Sequence, residues 1–88
     1  MRYVMTTLTS LPNIGPVVAE NLHRVGIETP EQLKAVGAQG AWLRIRLQVD
    51  EGACLHQLEA LEGAVLGIPK KELPLERRAE LKAFFKKY

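Results

Sequence analysis

Apolar residues recur at helical spacing along most of this chain, and proline and glycine cut the pattern into segments. Ile14, Val18, Leu22 and Val25 follow at intervals of four, four and three, which puts them on one face of a helix. Pro16 suits the first position of that helix, because its missing N–H would have no partner there. Gly26 supplies the stop, and Ile27 after it can fold back on the helix. The second helix has a fuller start signal. Thr29 is a good N-cap, Pro30 fits the first position, and Glu31 suits the positive end of the helix dipole. Gln32, three residues after Thr29, completes a capping-box pattern. Leu33 and Val36 face inward, and Gly37 ends the helix.

A third helix is predicted from about Ala38 to Val49, with Ala38, Trp42, Ile45 and Val49 on its inner face. Leu43 and Leu47 form a second apolar pair well round that helix. In so small a domain burial is the favoured outcome for them; exposure to a partner is the alternative. Asp50, Glu51 and Gly52 make a turn. A fourth helix follows from about Ala53 to Leu66, with Cys54, Leu58, Leu61 and Val65 facing the core. Gly63 inside it costs about 1 kcal/mol relative to alanine, which points to close approach by a neighbouring helix. Gly67, Ile68 and Pro69 break the chain, and Pro74 starts a last helix. There Arg78, Lys82 and Lys86 form one stripe and Glu72, Glu76 and Glu80 the adjacent one. No alternating strand pattern persists. The expected fold is all-α, a compact bundle of about five short helices. Residues 1–10 read as an extended arm ending in a turn near Thr9 and Ser10, and residues 11–88 as the domain.

At 88 residues the chain suits one domain with one modest core. Charge is uneven along it. Residues 1–40 carry three basic and three acidic groups, residues 41–70 three and four, and residues 71–88 six and three. The positive excess therefore sits in the last segment, as a phosphate-attracting tail or a solvated helix face. The single cysteine, Cys54, excludes an internal disulfide and reads as a small buried hydrophobe. Met1 to Ser10 lacks the long apolar core of a signal peptide, and no apolar run is long enough to span a bilayer. The cytoplasm is the expected compartment, with no membrane partner. Cys54, His23 and His56 have no zinc spacing, and no phosphate loop or paired carboxylates stand out. No metal, no cofactor and no catalytic residue are expected, and an enzyme is disfavoured.

The informative stretch is Leu11-Pro12-Asn13-Ile14-Gly15-Pro16, followed by Glu20, Leu22, Gly26, Ile27, Thr29 and Leu33. It resembles the helix-hairpin-helix, with Asn13 in place of the first glycine and Gly15 matching the second. Asparagine tolerates positive φ, so the bend survives. In DNA-binding members of that class the hairpin presents backbone amides to a phosphate, and the resemblance makes the amides of Gly15, Val17 and Val18 candidates, with Asn13 at the bend. Two features count against it. The hairpin, residues 11–37, has two basic residues against three acidic ones. Similar DNA-binding hairpins also carry a lysine after the Gly-Pro, where this chain has Val17.

The resemblance runs further. Gly37-Ala38, Trp42-Leu43, Ala60-Leu61-Glu62-Gly63-Ala64, Gly67, Leu73-Pro74 and Arg77 look like the C-terminal domain of the TfoX family of competence regulators. It implies an all-α, helix-hairpin-helix-like fold and a role in regulating competence or transcription in bacteria. Full-length members carry a separate N-terminal domain, for which this chain is too short. Two partners stay open. One is DNA, held without sequence readout by the hairpin and by Arg78, Lys82 and Lys86. The other is a regulatory protein or a second copy in a homodimer, met through Leu43, Leu47, Phe84 and Phe85.

Overall fold

The computed structural model of the chain describes residues 8–88. The arm expected over residues 1–10 lies mostly outside them, but the turn at its end is present as a single 3-10 turn over residues 8–10. Five α-helices follow: α1 (Pro16–Arg24), α2 (Pro30–Val36), α3 (Ala38–Gln48), α4 (Leu55–Leu66) and α5 (Leu75–Phe85). A 3-10 turn, Lys70–Glu72, bridges α4 and α5 and holds Glu72, which the sequence reading placed on the last helix. There is no strand among the described residues. The radius of gyration, 12.2 Å, agrees with the ~12 Å of a folded chain this long. No helix among the described residues is long and apolar enough to cross a membrane.

The ends of the helices follow local chemistry. α1 closes with Ile27 N–H donating to Leu22 O and Gly26 N–H to His23 O, and Gly26 takes φ +84°. That pair of bonds is a Schellman motif, and it turns Ile27 into the core. α4 closes the same way through Gly67 and Ile68. At α2 the Thr29 hydroxyl accepts from Gln32 N–H at 3.1 Å, as the capping box requires. The Gln32 side chain reaches one residue further back than the motif predicts and accepts from Glu28 N–H.

The core is one cluster around Leu22, Ile27, Leu33, Trp42, Ile45, Leu58, Leu61 and Leu81, all essentially inaccessible. α4 packs on both α3 and α5. Leu8, inside the segment read as an arm, is buried in the same cluster.

Two expectations need correction. Cys54 does not face the core. It is the N-cap of α4, with extended backbone, and it is exposed. The helix starts later than its apolar spacing suggests, because Ala53 takes the buried place and the Cys54 carbonyl accepts from Trp42 Nε1 at 3.1 Å. The pair Leu43 and Leu47 splits: Leu43 packs against the core and Leu47 is 72% exposed.

Candidate nucleic-acid interface

A sharp bend leads into the N-terminus of α1. Leu11 N–H bonds back to Leu8 O, Ile14 N–H to Leu11 O, and between them Asn13 sits at φ +70°. It is the only non-glycine residue at positive φ among those described. Ile14 is buried and anchors the far side. Gly15 is the N-cap of α1, and no side chain caps the helix. The first helical bond is Ala19 N–H to Gly15 O. The amides of Gly15, Val17 and Val18 therefore have no acceptor among the described residues, as the first turn of an uncapped helix dictates. Gly15, Pro16 and Val17 are exposed, Val17 by 73%, and Val18 is half-buried.

Gly15 is not required by the fold. Its φ of −94° and ψ of −175° are open to any residue, and a Cβ built on it would meet nothing within 4 Å. What the glycine leaves is bare backbone, the condition for close approach by a ligand.

Asn13 turns its side chain inward. Its Nδ2 donates to Ile68 O at 3.0 Å and to Ala60 O at 3.3 Å, and its Oδ1 accepts from Lys70 N–H at 3.1 Å. Arg78 Nη2 in turn donates to Lys70 O at 2.8 Å. The bend, the turn Lys70–Glu72 and the start of α5 are thus joined through Lys70. Lys82 and Lys86 lie further along α5 and are exposed. The sequence reading missed Lys70 and Lys71, which lie outside any helical stripe. Only a long-range side-chain bond from Asn13 reveals them.

The protein-interaction candidates separate. Phe84 and Phe85 are half-buried, with ring centroids 5.9 and 5.6 Å from that of Trp42 in edge-on geometry. Leu43 belongs to the core margin, which leaves Leu47 facing solvent. Glu62, buried on α4, was not singled out as a charged site. Arg77 grips it at 2.9 and 3.2 Å and also reaches Glu80 at 2.8 Å. Both residues fall within the motifs that carry the family resemblance. A shallow cleft of about 370 Å³ lies beside α1, lined by Leu8, Pro16, Ala19, Glu20, His23, Glu28 and Thr29. Among the described residues no three His, Cys, Asp or Glu side chains gather as a metal site.

The profile of the TfoX C-terminal domain matches residues 4–85. The chain belongs to the TfoX C-terminal domain family. Protein Sxy of Escherichia coli (strain K12), a relative, is 39% identical over 74 residues, which is 84% of this chain and 35% of Sxy. The chain therefore spans about a third of the length of that relative. Two crystal structures of Listeria monocytogenes proteins are similar throughout. One is of an uncharacterized protein in a triclinic form, with a TM-score of 0.89 at 45% identity over 91% of this chain and 90% of that one. The other is of a protein of unknown function in a tetragonal form, with a TM-score of 0.88 at 45% identity over 91% and 96%. These matches place the family fold over nearly the whole chain.

Proposed function

We propose that this domain is a non-catalytic regulatory binding module that touches duplex DNA through its hairpin mouth without reading sequence. The observation that carries the reading is Gly15. Folding does not need a glycine there, yet its absent side chain bares uncapped amides at the positive end of α1. A phosphate is the anion that such a mouth accepts, and phosphates are alike at every base pair. Membership of the TfoX C-terminal domain family and kinship with Sxy support placing this binding in bacterial regulation of competence or transcription, in the cytoplasm.

The test separates binding from folding. Gly15→Val should leave the melting temperature unchanged or slightly raised, because fewer unfolded conformations are lost. Its affinity for a fluorescein-labelled duplex at low salt should fall by about tenfold, the loss of one charge-assisted contact. Wild-type protein that shows no anisotropy change at tens of micromolar in low salt would sink the reading.

A second reading is favoured by Leu47. At 72% exposure it is a large apolar side chain outside the core cluster of the described residues, and a protein partner or a second copy would cover it. Light scattering of the wild type beside Leu47→Glu decides it. A dimer that the substitution dissociates supports this reading, and a monomer in both cases removes the homodimer.

A further inference from the structure

The hairpin itself is short of positive charge, with two basic residues against three acidic ones over residues 11–37. Its neighbours in space are not. We propose that Lys70, Lys71 and Arg78 form the second half of a duplex-phosphate face whose first half is the hairpin mouth, an inference that rests on the reading of Gly15 above. Asn13, two residues before Gly15, bonds to Lys70 N–H, and the Lys70 carbonyl receives Arg78. These bonds set the 3-10 turn between the bend and the first turns of α5. Lys71 is exposed, and Lys70 and Arg78 are half-exposed.

The charges there are not paired with carboxylates, although Arg78 keeps its bond to the Lys70 carbonyl. Lys70, Lys71, Arg78, Lys82 and Lys86 make no ion pair among the described residues. Arg77 differs, being spent on Glu62 and Glu80. Glu72, Glu76 and Glu80 are exposed carboxylates of the same segment, Glu80 paired with Arg77, and the five cations still outnumber them.

The position of three of these cations is also unfavourable for folding. Arg78 stands at the fourth residue of α5, and Lys70 and Lys71 lie just before that helix, at its positive dipole end. The carbonyl end of α4, which would offset them, is already occupied by Gly67 and Ile68 amides and by Asn13. The five cations outnumber the carboxylates of the same segment and pair with none of them among the described residues. Arg78, Lys82 and Lys86 recur every four residues, so the line extends about 12 Å along α5. That length exceeds one phosphate and suits an extended polyanion. The DNA backbone has that form, with one negative charge per ~1.7 Å of duplex axis.

The test is the salt dependence of binding to the same labelled duplex. The fold uses only the backbone of Lys70 in its bonds to Asn13 and Arg78, so Lys70→Gln with Lys71→Gln spares them. The double variant should melt as the wild type does. Its slope of log K against log salt should shrink by about 2, with at least a tenfold loss of affinity at about 50 mM salt. Lys34→Gln on α2, outside this network, should leave both unchanged. If the wild type binds and Gly15→Val weakens it while the double variant keeps the wild-type slope, the second half of the face is wrong and the hairpin reading stands. If the wild type does not bind, both fall together.

Discussion

A methyl group on Gly63 would stand 2.5 Å from Asn13 Nδ2 and 2.7 Å from the Ile68 carbonyl oxygen. Neither neighbour can withdraw cheaply, since the amide is held by three bonds and the oxygen is backbone. Gly63→Ala should therefore lower stability by about 2–3 kcal/mol in urea unfolding, despite gaining ~1 kcal/mol of helix propensity. A stabilised variant would show that the Asn13 bend is not clamped there. Gly63 and Gly15 are thus opposite cases, one crowded by what the fold brings close and the other left in open space. The sequence pointed to a neighbouring helix at Gly63, and the structure places the Asn13 bend and Ile68 there instead. The sequence did not reveal that neighbour, because the bond from Asn13 to Ile68 spans 55 positions. Arg77 raises a related point. Hydrogen bonds to Glu62 and then to Glu80 lift its guanidinium above the ordinary arginine range. A raised value in a cation means its stabilisation is complete below that range and is lost only in strong base. Arg77 thus adds no pH dependence near neutrality.

The elements were legible wherever a short-range device defined them. α2 has only seven residues, too short to persist alone, and its start rests on Thr29. Thr29→Ala should cost about 1 kcal/mol, read as a lower urea midpoint with an unchanged slope. No change would mean that tertiary packing, not the cap, sets that end. α1 and α2 could be read because caps, proline and glycine stops act within four or five residues. The start of α4 could not. The spacing from Cys54 to Leu58 and Leu61 satisfies a helix, but the decisive contact comes from Trp42, twelve positions away. The ring takes the Cys54 carbonyl, and the chain enters the helix one residue later with its thiol outside. The 3-10 turn Lys70–Glu72 was missed for a similar reason, since three residues carry no period.

At the scale of the whole molecule, α5 closes the core. Leu81 is inaccessible, and Phe84, Phe85 and Tyr88 surround Trp42 edge-on. Arg46 adds a bond to the Tyr88 carbonyl and lies over the Trp42 ring. The aromatic end of the chain therefore packs on Trp42 while part of its surface stays exposed, Tyr88 by 50%. Phe85→Ala should cost about 2 kcal/mol, less than a fully buried phenylalanine because this ring is half-exposed. The native emission of Trp42, the only tryptophan, should shift to the red. An unshifted spectrum and unchanged stability would return Phe85 to the list of surfaces available to a partner.

The sequence by itself determined that the chain is helical, where most helices begin and end, and which side of each is apolar. Those properties depend on neighbours within one or two turns, and proline, glycine, capping side chains and spacing state them directly. Tertiary structure alone decided which charges stand together. Lys70 meets the bend at Asn13, and Arg77 meets Glu62, because α4 and α5 pack side by side and the chain returns to Asn13 over more than fifty positions. Contacts at that separation are fixed by core packing, which no local pattern encodes.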